Sequence, residues 1–218
     1  NVRILFPTNP MDELALGILD DGDGMTAGVL FEAMRYGCLS AEEERSEEDL
    51  GRFGMGMKSA SLSQCRCLTV VSYEGKKLNG FTWDYNHILE TQDWMIKELD
   101  AKEIDALPYI SKLKEQKKGT LVIWQDFDVL SNSSGGQVYS TLVDLRSSLE
   151  STLALIYHRY LSGIGTSRLH IFINELDIKP LDPFLEQHPK TTVKKEIELD
   201  IKDSNGIERM VKIRPFIL

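Results

Sequence analysis

An apolar run, Leu16 to Leu19, stops on Asp20 and gives way at once to Asp21-Gly22-Asp23-Gly24-Met25. Alternating glycines directly after a strand allow positive φ and the close approach of a flat ligand, freedoms that other residues lack. A carboxylate fixed at a strand end accepts a hydrogen bond from an amino group. By itself the segment also reads as an acidic turn, since Asp and Gly form turns readily. A calcium loop counted from Asp21 would put Glu32 at its twelfth position, but Met25 then stands at a ligand position and Thr26 where the invariant glycine belongs. That reading is set aside.

Two further motifs follow. Gly51-Arg52-Phe53-Gly54-Met55-Gly56-Met57-Lys58-Ser59 is a glycine-rich loop leading into a helix, an arrangement whose successive N–H groups cradle phosphate and whose flanks here are cationic. It misses the Walker A pattern, because Met57 separates the last glycine from Lys58 and an acidic loop, not a strand, precedes it. Glycines that only permit tight packing are the plainer alternative, one that leaves Arg52 and Lys58 without a role. The third motif, Gly119-Thr120, opens the apolar run Leu121 to Trp124 and is no more than a strand entry on its own.

Around these motifs the pattern alternates between strand and helix. Val2–Phe6 and Leu14–Leu19 read as a hairpin of strands, Thr26 as the cap of a helix running to Arg35, and Met57–Gln64 as a short helix. Cys67–Tyr73 and Leu78–Asp84 read as strands about a Glu74-Gly75 turn. Between Gly37 and Leu50 the carboxylates Glu42 to Asp49 face a single Arg45, the composition of a solvated segment. Gln137–Tyr160 steps apolar residues by three or four (Val138, Leu142, Leu145, Leu149, Leu153, Ile156, Tyr160) and predicts one core-facing helix. Arg168–Asn174 alternates as a strand. From Val193 to Ile217 two alternating stretches flank Asp203-Ser204-Asn205-Gly206, a hairpin signal. The pattern beyond Pro189 is all β, which puts a domain boundary there: residues 1–188, then 189–218.

In this order the three motifs resemble the GHKL superfamily, that of gyrase B, heat-shock ninety-type chaperones, histidine kinases and MutL. The wording DDGDGM with GRFGMGMKSAS is most similar to the MORC and MutL-like branch. The resemblance implies an α/β (α+β) fold, a two-layer Bergerat-type sandwich with a mixed sheet and helices on one face, followed by the start of a β-rich transducer domain. It implies ATP with magnesium as ligand, Asp20, Gly22, Gly24, Met25 and Thr120 around the adenine, and Gly51, Arg52, Phe53, Gly54, Met55, Gly56, Met57 and Lys58 around the phosphates. Asp20 would accept the adenine amino group, with Thr120 supporting it and an ordered water.

The superfamily's helical Glu-x-x-x-Asn motif, source of the general base and a magnesium ligand, is expected upstream of Asn1, since neither Asn1 nor Asn9 follows a glutamate at the right spacing. No catalytic residue or metal ligand is therefore assigned within the chain. Two functions stay open: slow ATP hydrolysis coupled to lid closure and homodimerisation, or a module that holds ATP without turnover. A net charge of −9 disfavours a broad nucleic-acid surface. The client is left unassigned. No apolar stretch approaches the roughly 20 residues of a membrane span. Cys38, Cys65 and Cys67 form neither an even set nor paired CxxC motifs, which points to reduced thiols in the cytoplasm or nucleus. His87, His158, His170 and His188 lack metal-ligand spacing, and Trp83, Trp94 and Trp124 read as packing residues.

Overall fold

A computed structural model describes residues 1–35, 56–128, 138–164, 168–202, 206 and 208–217. They fall into two compact units, Asn1–Glu150 with Leu169–Ile178, and Ser151–Arg168 with Lys179–Leu218.

The first unit is built on β1 (Val2–Leu5), β2 (Ala15–Asp20), α1 (Ala27–Met34), α2 (Gly56–Leu62), β3 (Cys67–Glu74), β4 (Lys77–Asp84), α3 (Tyr85–Thr91), β5 (Lys97–Glu98), α4 (Ala101–Asp105), α5 (Ile110–Gln116), β6 (Gly119–Gln125), the first part of α6 (Val138–Ile156), β7 (Ile171–Ile173) and β8 (Leu176–Asp177). Its eight strands form one sheet in the order β5-β4-β3-β6-β2-β1-β7-β8. Neighbours are antiparallel except β1 and β7, so the sheet is mixed. The expected hairpin of β1 and β2 is present, Val2 opposite Asp20. The Thr26 cap is present too, its hydroxyl accepting the Val29 N–H.

Alternation along the strands sends successive side chains to opposite faces. One face carries Leu5, Leu19, Val71, Leu121 and Ile123 against Ile104 of α4 and Ile110 and Leu113 of α5, all buried. Gly17 is small where the ring of Tyr109 lies on this face; a Cβ there would sit 2.8 Å from Cδ2 of the ring. On the other face Phe81 meets Phe31 of α1, Trp83 donates to the Met34 carbonyl, and Trp124 donates to Ser61 of α2. The α+β sandwich on a mixed sheet is as expected. Helices cover both faces and not one: α4 and α5 lie on one side, α1 and α2 on the other. The two short helices α4 and α5 escape a periodicity search because each is under two turns and buries only one or two residues.

In the second unit α6 ends at Ile156, the chain turns at Tyr157, and α7 (His158–Ser162) follows. The single helix expected to reach Tyr160 is thus broken. Val138 and Leu142 are buried as expected, but Leu145 and Ile156 are exposed; at the broken end Ala154 and Leu161 are buried instead. The stripe is interrupted where α6 ends at Ile156 and the chain turns at Tyr157. Phe184 stacks on Phe216, and Asp182 accepts the N–H groups of Phe184 and Glu186. From Thr192 onward the described elements are all strands: β9 (Thr192–Val193), β10 (Ile197–Lys202), β11 (Glu208–Ile213) and β12 (Phe216–Ile217). The expected hairpin is β10 with β11, Leu199 opposite Val211. Trp94, read as a packing residue, is instead 64% exposed and meets Trp83 only edge-on.

Cys65 is buried, with its thiol against the Ser61 carbonyl, and burial pushes it up to about 12 and Cys67 up to about 11. Both are raised from an ordinary value of 9.0, so the folded state holds its thiol protons after the unfolded chain has lost them. Their contribution to stability is complete below pH 9 and is lost as the pH rises from there through 11 to 12. In a Cys38→Ala variant, iodoacetamide at pH 8 is expected to label neither thiol of the folded protein and both in denaturant, while urea midpoints should fall as the pH climbs past 9. Rapid labelling of the folded protein would contradict the assignment.

Candidate functional site

Asp20 is the last residue of β2, and β6 runs beside it with Leu121 opposite Leu19. That register puts Thr120 next to Asp20, although a hundred positions separate them. Oδ1 of Asp20 accepts two backbone N–H groups, from Gly22 at 2.8 Å and from Thr120 at 3.3 Å. Among the described residues Oδ2 receives no hydrogen bond, and the side chain is half-buried. The main chain of Asp20 is held as well, its carbonyl accepting Nε2 of Gln116, which also donates to the Lys118 carbonyl.

Two glycines are dictated by contact. Gly119 has φ +92°, and a Cβ there would lie 2.0 Å from the Asp20 carbonyl oxygen. Gly24 has φ +79°, and a Cβ there would lie 2.0 Å from the Tyr73 carbonyl oxygen. Both positions join left-handed backbone to a carbonyl with no room for a side chain, so only glycine fits.

Met25 is fixed from both ends of its backbone. Its N–H donates to Oγ of Ser72 at 2.7 Å, and its carbonyl accepts Nδ2 of Asn79 at 3.1 Å. Ser72 is fully buried and also lies 2.9 Å from the Thr120 hydroxyl and 3.3 Å from the Gly119 carbonyl. The structure therefore brings together Asp20, Gly22, Gly24, Met25 and Thr120, and adds Ser72, Asn79 and Gln116. Their signal in the sequence is a break in apolar parity: Ser72 shares a face with Leu68 and Val70, and Asn79 shares one with Phe81 and Trp83. Thr120 meets Asp20 through its backbone N–H, whereas its hydroxyl is engaged by Ser72.

Of the residues assigned to phosphate, Gly51, Arg52, Phe53, Gly54 and Met55 lie outside the described residues. Gly56, Met57 and Lys58 form the first turn of α2. Lys58 is only 1% exposed, and its ammonium donates to the carbonyls of Ala33 and Arg35, at 2.8 and 2.7 Å, at the C-terminal end of α1. Cations are favoured at that end of a helix, where carbonyls lack intrahelical partners. Among the described residues no group of three or more His, Cys, Asp or Glu side chains is placed to hold a metal ion, so no magnesium ligand is assigned to them.

Residues 1–120 match the family model of the histidine kinase-, DNA gyrase B-, and HSP90-like ATPases. The chain belongs to this family of GHKL ATPases, whose members bind ATP with magnesium and typically hydrolyse it. A comparison with curated proteins returns no match. Among the described residues no helix is long and apolar enough to cross a membrane.

Lys58→Met keeps the apolar stem and removes the ammonium, leaving two carbonyls without their charged donor. The expected loss is roughly 2 to 3 kcal/mol in the nucleotide-free protein, read by urea denaturation. Unchanged stability together with weakened nucleotide binding would instead assign the side chain to phosphate.

Proposed function

We propose that this chain is the ATP-binding domain of a GHKL-type ATPase of the MORC and MutL-like branch, coupling magnesium-ATP binding and slow hydrolysis to lid closure and homodimerisation. One observation carries the ligand assignment. Among the described residues the Asp20 carboxylate has Oδ1 occupied by two backbone N–H groups and Oδ2 left as an acceptor, at a strand end flanked by glycines. Such a group suits an exocyclic amine, which has hydrogens to give and no charge to neutralise. Gly22, Gly24, Met25 and Thr120 then shape the base pocket, and the backbone of the segment from Gly51 to Lys58 takes the phosphates, while the Lys58 ammonium stays on the Ala33 and Arg35 carbonyls. The ATP supplies the phosphoanhydride bond; the residues described here bind and orient its base.

The branch assignment rests on the wording DDGDGM and GRFGMGMKSAS. Residues 1–188 constitute the nucleotide domain in this reading and 189–218 the opening of a β-rich transducer domain, in keeping with the run of strands after Thr192. The protein acts in the cytoplasm or nucleus, consistent with the free thiols of Cys65 and Cys67.

The test is Asp20→Asn. With Oδ1 pinned by the Gly22 and Thr120 N–H groups, the amide keeps its oxygen there and turns its NH2 toward the ligand, setting donor against donor. Calorimetric titration should show ATP affinity reduced roughly tenfold to a hundredfold, corresponding to about 1 to 3 kcal/mol, in a variant whose thermal melt is retained. Equal affinity in the folded variant would place the base elsewhere.

A further inference from the structure

We propose that Ser72, which the adenine reading does not use, is a positioning residue that fixes the Thr120 hydroxyl as a hydrogen-bond acceptor and so makes the pocket select a 6-amino purine over a 6-oxo purine. The proposal rests on the adenine reading above. It starts from hydroxyl valence: each hydroxyl has one hydrogen to donate and two lone pairs to accept with.

Oγ of Ser72 has three neighbours at hydrogen-bonding distance: the Met25 N–H at 2.7 Å, the Thr120 hydroxyl at 2.9 Å and the Gly119 carbonyl at 3.3 Å. The Met25 contact has one polarity, since an N–H only donates. The Gly119 contact also has one, since a carbonyl only accepts, and it takes the single hydrogen of Ser72. Thr120 must then donate to the remaining lone pair of Ser72. This arrangement satisfies all three contacts at once. The reverse, Ser72 donating to Thr120, forfeits the Gly119 contact and leaves the Thr120 hydrogen to find another acceptor, in a group only 8% exposed.

With its hydrogen committed, Thr120 offers any further partner only lone pairs. The Asp20 carboxylate, whose Oδ1 takes the Thr120 backbone N–H, is likewise an acceptor. The Asp20 carboxylate and the Thr120 hydroxyl thus act together as acceptors. Adenine brings a 6-amino donor to such a surface, whereas a 6-oxo purine brings a carbonyl oxygen that finds no hydrogen. Burial makes the commitment firm: Ser72 is 0% exposed, so no water replaces a lost partner there.

The experiment measures the affinities of ATP and inosine triphosphate for the whole chain by calorimetry, in wild type, Ser72→Ala, Thr120→Val and the double variant. Releasing the Thr120 hydrogen lets that hydroxyl donate to a 6-oxo group. Ser72→Ala is therefore expected to lower the ratio of ATP to inosine triphosphate affinity by on the order of tenfold. In the Thr120→Val background it should lower the ratio no further, because both act through one hydroxyl. Ser72→Cys, close in size and a weaker hydrogen bonder, gives the same reading if the alanine variant does not fold. If neither folds, Thr120→Val decides: a ratio equal to wild type overturns the proposal.

A parallel fall in both affinities with a constant ratio would make Ser72 a prop of the Met25 loop and overturn the proposal. So would additive effects in the double variant. Asp20→Asn separates the levels of the argument. Loss of ATP binding in Asp20→Asn with an unchanged ratio in Ser72→Ala removes the Ser72 proposal alone, and a wild type that binds neither nucleotide removes the adenine reading with it.

Discussion

The placement of β6 between β2 and β3 is the constraint on which the site depends. Because β6 pairs with both, residues from three distant stretches, Asp20, Ser72 and Thr120, meet at one end of the sheet. The contact is close enough to dictate sequence. The Gly119 backbone lies so near the Asp20 carbonyl, and the Gly24 backbone so near the Tyr73 carbonyl, that a methyl at either would fall 2.0 Å from an oxygen. Positive φ at both adds strain for any other residue. The glycines that look like a ligand signature in the sequence are therefore required first by the packing of backbone on backbone. Their service to a ligand is a consequence of that packing.

The two faces of the sheet divide the labour. One face is sealed with aliphatic side chains by α4 and α5, and it holds β2 and β6 rigid from behind. The other carries the polar residues of the site among Phe81, Trp83 and the helix α1. Burying Ser72, Asn79 and Thr120 there is tolerable because each has partners, since a buried polar group left unpaired costs about 1 to 3 kcal/mol. Lys58 follows the same rule. Its ammonium survives burial at the end of α1 because helix-terminal carbonyls, short of partners of their own, receive it.

Strands with clean alternation and the capped helix at Thr26 were legible in the sequence because one local signal decided each. The C-terminal end of the α6 pattern was not: the spacing runs on to Tyr160, whereas the chain turns at Tyr157 and Ile156 is exposed. The helices α4 and α5 were invisible because they are too short to repeat. In the site, Asp20, Gly24 and Thr120 stood out through motif order, which no local rule supplies. Ser72, Asn79 and Gln116 did not, since their roles exist only once the strands are aligned. A parity check would have flagged the first two. Lys58 was read through its loop, yet its burial against α1 is a tertiary fact that spacing does not encode.

A carboxylate held as Asp20 is needs no cation beside it to serve as an acceptor. A free carboxylate in water is solvated on both oxygens and rotates; binding must strip water and freeze the rotor. Here folding has done both for Oδ1, which is tied to two N–H groups, and the Gln116 contact immobilises the main chain behind it. Freezing a side chain at an interface costs about 0.5 to 1.5 kcal/mol, and that cost falls on folding instead of on ligand binding. The same logic extends to the Ser72 and Thr120 hydroxyls, which lie within hydrogen-bonding distance of each other in the folded chain. In the proposed adenine site, discrimination would come from mismatch: a ligand that presents an acceptor to pre-oriented acceptors leaves buried polar atoms unpaired, a penalty larger than the gain from one matched hydrogen bond.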